Sequence, residues 1–143
     1  MSKSVLCAID ISQPEIDKHV LKRAAQLAKM DGASMDVITV IPDYGLSIVG
    51  SFFDETHHKK VLAEATNTLN KFVSEVLGDE ANKDIRHLVA TGSAYEQILN
   101  AANTAGTTLI VIGSHKPELS DYLLGPNAAR VVRHSTCSVH VVR

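Results

Sequence analysis

An apolar run near the end of the chain breaks into small and polar residues, in the order Gly113, Ser114, His115 and Lys116. A second glycine opens the last predicted helix, which begins with Gly125, Pro126 and Asn127. A buried strand that ends in a glycine loop and leads to a helix N-terminus suits phosphate, because backbone N–H groups converge there and the helix dipole favours negative charge. The pattern therefore predicts an anion-binding site formed by these two segments.

Asp10 is the carboxylate that directly follows a predicted strand. Ligands of open parallel sheets collect beyond the carboxyl ends of the strands, and a carboxylate there is suited to hold a ribose hydroxyl or a metal ion. The alternative is that Asp10 only caps the turn toward Ser12. We expect Asp10 to contribute to ligand binding and little to folding.

Motifs of several common catalytic classes are absent from the sequence. It contains no Walker lysine motif, no G-x-G-x-x-G after the first strand, no G-x-S-x-G, and no H-x-x-x-H or H-E-x-x-H metal spacing. His115 has no evident nucleophile or carboxylate as a partner. The sequence therefore favours binding over catalysis, and a small hydrolase or transferase is the weaker alternative.

Strand-like apolar runs alternate with helix-like segments along the whole chain. The predicted strands cover residues 4–9, 35–41, 85–90, 109–112 and 138–142. Apolar residues at helical spacing occupy the segments between them, and three of the helices end at glycines: Gly32, Gly78 and Gly106. Strict alternation predicts an α/β fold, a parallel sheet with helices on both faces, in one domain of residues 1–143.

Two S-x-x-E patterns mark helix starts. Ser12 with Glu15 opens the first helix, and Ser93 with Glu96 opens the helix after the third strand. In such a capping box the serine side chain accepts a hydrogen bond from the first helical turn, and the glutamate bonds back. The sequence therefore predicts side-chain caps at both helix starts.

Charge and composition argue against some partners. The 143 residues carry a formal net charge of −2, which gives no electrostatic reason to bind nucleic acid. No apolar run approaches the ~20 residues of a membrane helix, and the chain begins in a strand-like run without a signal peptide. Cys7 and Cys137 have no metal-like spacing and are interpreted as reduced, buried thiols. We expect a cytoplasmic protein with no membrane or nucleic-acid partner.

Several segments together resemble the universal stress protein family, and most closely its short F-type branch. They are Ile9-Asp10, residues 39–42, Glu96, residues 112–115, residues 122–134 and residues 137–139, so the resemblance covers essentially the whole chain. The resemblance implies a flavodoxin-like sheet of order 3-2-1-4-5, as in adenine-nucleotide alpha-hydrolase-like proteins. It also implies a homodimer made through the last strand, Ser138–Val142.

The nucleotide-binding members of this family carry the motif G-x2-G-x9-G-[S/T]. Gly113 takes the place of the first glycine and Gly125 that of the third. Lys116 stands where the second glycine is expected, the following loop is one residue shorter, and Pro126 replaces the serine or threonine. Proline offers phosphate neither an N–H nor a hydroxyl, and a lysine Cβ blocks close backbone approach. F-type members also lack the second glycine and are associated with ATP binding.

The resemblance implies ATP as the ligand, with Mg²⁺ as an optional companion. The adenine would lie near Val40, the ribose near Asp10, and the phosphates against the two glycine segments, with Ala8 as a further nucleotide-binding residue. Side-chain donors of Lys116 and Asn127 would partly replace the missing groups. The leading hypothesis is a cytosolic stress-response protein that binds ATP, hydrolyses it slowly or not at all, and acts as a homodimer. The alternative is a dimeric interaction module of the same family that has lost nucleotide binding.

Overall fold

The strands form one parallel sheet. The computed structural model describes residues 2–42, 55–114 and 125–143. Its strands are β1 (Ser4–Ala8), β2 (Ser34–Ile41), β3 (Ile85–Thr91), β4 (Leu109–Gly113) and β5 (Ser138–Val142). They pair in the order β3-β2-β1-β4-β5, and every pair is parallel. The predicted α/β fold and strand order are confirmed.

The helices follow the strands in strict alternation, with one addition. In the described part of the chain they are α1 (Pro14–Asp31), α2 (Glu55–Leu77), α3 (Asp79–Asn82), α4 (Ala94–Ala105) and α5 (Gly125–His134). Gly32 ends α1 and Gly106 ends α4, each with a positive φ that a residue with a Cβ rarely adopts. The predicted helix stops at these two positions are confirmed.

The side chains of alternate residues of β1 pack into two separate hydrophobic clusters, one on each face of the sheet. Val5 and Cys7 point to the face that α1 and α2 cover, and Leu6 and Ala8 point to the face that α4 and α5 cover. All four side chains are almost fully buried, because β1 lies at the centre of the sheet and has helices on both sides. The continuous apolar character of this strand, rather than an alternating one, follows from that position.

The first capping box prediction was wrong, and the second was right only in position. Helix α1 begins one residue later than expected, with Gln13 at the N-cap, and the Ser12 hydroxyl bonds to Asp10 instead. Ser93 does occupy the N-cap of α4, but its side chain makes no capping hydrogen bond. Local sequence patterns located the helix starts without identifying the groups that cap them.

The short helix α3 was not predicted from the sequence. Asn82, its last residue, is buried and ties three elements together. Its Nδ2 lies 2.8 Å from Asn70 Oδ1 and 2.8 Å from Ser74 Oγ, both on α2. Its Oδ1 lies 2.7 Å from His87 Nε2 on β3, and burial lowers the pKa of His87. These hydrogen bonds join α3 to α2 and to β3.

No helix in the described ranges has the length and apolar character needed to cross a membrane. Both cysteines are free thiols. Cys7 is buried as predicted, whereas Cys137 is only half-buried at the start of β5.

Candidate functional site

The carboxyl ends of β1, β2 and β4 meet at one edge of the sheet. Ala8 pairs in register with Ile38 of β2 and with Ile112 of β4. The strand order reverses between β1 and β4, and open α/β sheets bind ligands at such a reversal. Ala8 is the last residue of β1 in this register, and Asp10, Val40 and Ser114 each follow by two residues one of the three paired positions Ala8, Ile38 and Ile112.

Asp10 is held in a tight turn directly after β1. Its Oδ1 accepts hydrogen bonds from the Ser12 backbone N–H at 2.9 Å and from the Ser12 hydroxyl at 2.6 Å. The residue is only 2% exposed. The contacts of the turn-capping alternative are therefore present, and the contribution of Asp10 to folding stays a prediction. Both bonds go to Oδ1, so the other carboxylate oxygen, Oδ2, takes no part in this turn.

Asp17 is a residue that sequence reasoning missed. It is fully buried on α1, and its Oδ2 accepts the Asp10 backbone N–H at 2.6 Å. The available signal was its spacing, because Asp17 shares the inward face of α1 with Val20 and Leu21. An acid at an apolar position needs a hydrogen-bonding partner, and here it fixes the backbone of the turn. Burial, together with the nearby charge of Asp17, raises the pKa of the Cys7 thiol.

Ala8 and Val40 are apolar residues on one face of the sheet near this edge. Both are buried in the same cluster as the inward faces of α4 and α5. Ala8 has no exposed surface, so it supports the site from inside the core. Val40 lies further along its strand, beyond the end of β1, and is the nearer of the two to any ligand at the edge.

The end of β4 presents fewer free donors than the sequence suggested. Gly113 is buried and pairs with Val142 of β5. The Ser114 backbone N–H donates to the Val142 carbonyl oxygen at 2.7 Å. That amide extends the β4–β5 ladder and is not available to phosphate. Ser114 is half-buried, and its hydroxyl is the remaining hydrogen-bond donor of this residue.

The start of α5 lies on the same face as Ala8 and Val40, because Ala128 of α5 packs in the same core cluster. Gly125 is the first residue of α5, and Pro126 is exposed. Asn127 is 9% exposed, and its Oδ1 accepts the Tyr95 backbone N–H of α4 at 3.1 Å. The predicted donor Asn127 thus uses its side-chain oxygen to join two helices.

His115 and Lys116 fall outside the described residues. Their assignment as nucleotide-binding residues stays a prediction. Among the described candidates, the structure brings Asp10, Val40 and Ser114 to one edge of the sheet, with the start of α5 on the Val40 side.

The chain matches known proteins over its full length. The family model described as "Universal stress protein family" matches residues 1–143. Universal stress protein G of Shigella flexneri is 31% identical over 145 residues and is covered completely, as is this chain. Universal stress protein A homolog 1 of Coxiella burnetii is 27% identical, with 98% of this chain and 95% of that protein covered.

Solved structures show the same fold. The structure of the universal stress protein MJ0577 of Methanocaldococcus jannaschii superposes with a TM-score of 0.76 at 25% identity, covering 99% of this chain and 96% of that one. A universal stress protein in complex with cAMP superposes with a TM-score of 0.64 at 19% identity, covering 99% and 96%. The family resemblance of the sequence is confirmed, and assignment to the F-type branch stays a prediction. The chain belongs to the universal stress protein family.

Proposed function

We propose that this chain is a cytosolic universal stress protein that binds an adenine nucleotide, ATP, at the carboxyl edge between β1 and β4. The observation that supports it best is the pairing of β1 with β2 and with β4, because Asp10, Val40 and Ser114 follow the last paired positions of these strands at the strand-order reversal. One protein of the same fold was crystallised with cAMP, which carries the same adenine base. The nucleotide-binding motif of the family supplies the position of the phosphates.

The described residues offer suitable groups for the base and the ribose of an adenine nucleotide, and fewer for its phosphates. Val40 offers an apolar surface for the base, and Asp10 Oδ2 is an acceptor for a ribose hydroxyl. The N-terminus of α5 supplies a partial positive charge for phosphate, although Pro126 has no backbone N–H to donate there. The Ser114 hydroxyl, with His115 and Lys116, completes the proposed phosphate contacts. ATP hydrolysis would be slow or absent, since the sequence has no evident paired general base.

We expect calorimetric titration with Mg²⁺ present to show heat of binding for ATP and none for GTP at matched concentrations. The physical reason is that a shaped apolar surface with a few polar groups selects the base, whereas phosphate contacts are common to both ligands. No heat from either nucleotide at millimolar concentration would refute nucleotide binding. Equal heats would leave a phosphate site without adenine specificity.

A second candidate function is a dimeric interaction module that has lost nucleotide binding. The use of the Ser114 amide in the β4–β5 ladder favours it, because one backbone donor at the glycine loop is already committed. Pro126 at the start of α5 also favours it, because proline has no backbone N–H to donate to phosphate. Mass spectrometry of the ligand released from denatured, freshly purified protein separates the two. A released adenine nucleotide supports the first function, and its absence together with silent calorimetry supports the second.

We also propose that the protein acts in the stress response as a homodimer paired through β5. β5 is an edge strand of the sheet, and it and the preceding helix α5 each carry an exposed apolar side chain. Val141 on β5 is 38% exposed, and Val132 on the adjacent α5 is 51% exposed. An apolar edge strand with open backbone groups is prone to pair with a second chain. Two-fold pairing is the commonest closed symmetry for such contacts.

Pro126→Ser is expected to strengthen ATP binding about threefold to tenfold, in line with the ~0.5–1.5 kcal/mol of one added hydrogen bond. The serine restores one backbone N–H and one hydroxyl at a helix N-terminus, where anions are favoured. The residue is exposed, so the core is undisturbed, and loss of a proline suited to the first turn lowers stability only slightly.

Calorimetry on Pro126→Ser and Pro126→Ala checks this prediction, since alanine restores the N–H without the hydroxyl. Equal or weaker ATP binding by both variants would mean that the phosphates do not lie at Gly125–Asn127.

A further inference from the structure

Helix α4 begins without a cap of its own. Ser93 stands at the N-cap, yet its side chain makes no capping hydrogen bond. The first turn of a helix has N–H groups with no partner inside the helix, and an N-cap side chain normally accepts one from the second or third position. Tyr95 is the second helical residue of α4, so its N–H is one of those groups.

The missing cap comes from the neighbouring helix. Asn127, near the start of α5, places its Oδ1 3.1 Å from the Tyr95 nitrogen. A backbone N–H only donates, so the atom facing it must be the amide oxygen and not the amide nitrogen. Asn127 is 9% exposed and Tyr95 is half-buried, so the bond is partly shielded from water and its loss would leave the Tyr95 N–H without its protein acceptor.

A second contact between the same helices lies beside the cap. The Arg130 guanidinium carbon of α5 stands 5.2 Å from the centre of the Tyr95 ring, within the range of a cation–π contact. The rings of Tyr95 and His134 lie 6.2 Å apart between centroids. The start of α4 is therefore joined to α5 through both the backbone and the side chain of Tyr95.

We propose that Asn127 is a positioning residue for the nucleotide site: by capping α4 it fixes the N-terminal turn of α5 at the place where the phosphates bind. The inference rests on the proposed function. In this role Asn127 acts through the helix geometry: its side-chain oxygen accepts the Tyr95 N–H, and the variants below separate that role from direct donation by its amide nitrogen. This differs from the role of phosphate donor that the sequence assigned to Asn127.

The cap itself is tested without nucleotide by amide hydrogen exchange followed by NMR. Asn127→Ala should accelerate exchange of the Tyr95 amide about tenfold or more, because the N–H loses its acceptor and the turn frays. Asn127→Asp should keep it protected, since a carboxylate accepts the same bond and suits a helix N-terminus. Asn103→Ala, the same substitution at an exposed site of α4, is the control and should change nothing.

The positioning role is tested by the ATP affinity of the same variants, with Asn127→Ala as the reference for Asn127→Asp, because salt screens a largely buried charge only in part. Asn127→Ala should bind ATP about tenfold more weakly, a loss of the size expected for a helix cap. Asn127→Asp should bind ATP more tightly than Asn127→Ala, because it keeps the cap, even though its charge repels the phosphates. A direct phosphate contact predicts the reverse order, because aspartate removes a donor and adds a negative charge next to the ligand.

The outcomes separate this inference from the proposed function. A wild type that binds no nucleotide refutes the proposed function and the positioning role with it, while the exchange data still show whether the cap exists. A wild type that binds ATP as tightly as Asn127→Ala, or a weaker Asn127→Asp than Asn127→Ala, overturns the positioning role alone. Recovery by aspartate in both measurements supports it.

Discussion

Replacing Val141 with proline is expected to convert the proposed homodimer into a folded monomer of 15.4 kDa. Ser114 bonds to the Val142 carbonyl, so Val142 turns its backbone groups toward β4. Neighbouring residues of a strand turn theirs to opposite edges, which leaves the Val141 N–H on the open edge of β5. Proline removes that donor from the proposed interface and leaves the β4–β5 ladder intact, since edge strands tolerate proline.

Analytical ultracentrifugation of wild type and variant at micromolar concentration is the measurement. His140→Pro is the matched control, because His140 turns its N–H toward β4 and its loss should lower the stability of the monomer itself. A wild type that sediments as a monomer would refute the edge pairing. A Val141→Pro variant that remains a dimer would show that the two chains meet through another surface.

Replacing Asp10 with alanine is expected to lower both stability and ATP affinity. The folded state loses two part-buried hydrogen bonds from exposed Ser12 to Oδ1 of buried Asp10, which costs about 1–3 kcal/mol. ATP binding weakens by a further ~1–3 kcal/mol, because the ribose hydroxyl loses its acceptor. Urea unfolding measures the first effect, and calorimetric titration at a temperature where the variant is folded measures the second.

Asp10→Asn separates the two roles, since its amide oxygen still accepts from Ser12 while the charge is lost. We expect near wild-type stability for this variant and an intermediate ATP affinity. If Asp10→Ala unfolds more easily but binds ATP like the wild type, the carboxylate serves only the turn, and the ribose lies elsewhere.

Apolar periodicity predicted the fold because burial is imposed by the position of each strand. The uninterrupted run Leu109 to Ile112 needs helices on both faces, and a strand of that kind belongs in the middle of a parallel sheet. Gly32 and Gly106 ended their helices as predicted, since only a residue without Cβ easily takes the left-handed conformation. These features depend on residues close together in the chain.

The capping groups show where local patterns stop being informative. The S-x-x-E pattern at Ser12 is one residue away from the N-cap, and Asp10 takes the hydroxyl that the pattern assigns to the helix. At Ser93 the cap comes from Asn127, 34 residues away in the chain. A serine hydroxyl has several partners of similar energy within reach, and tertiary packing decides among them.

The sequence by itself determined the family, the order of strands and helices, and the edge of the sheet at which Asp10 and Gly113 stand. It did so because hydrophobic spacing, glycine conformation and the family's residue pattern are all read along the chain. Only the tertiary structure decided how polar groups are shared: Asp17 holds the Asp10 amide, Val142 takes the Ser114 amide, and Asn127 caps α4. Each of these bonds joins groups from different elements, and a buried donor pairs with whichever acceptor packing brings within about 3 Å.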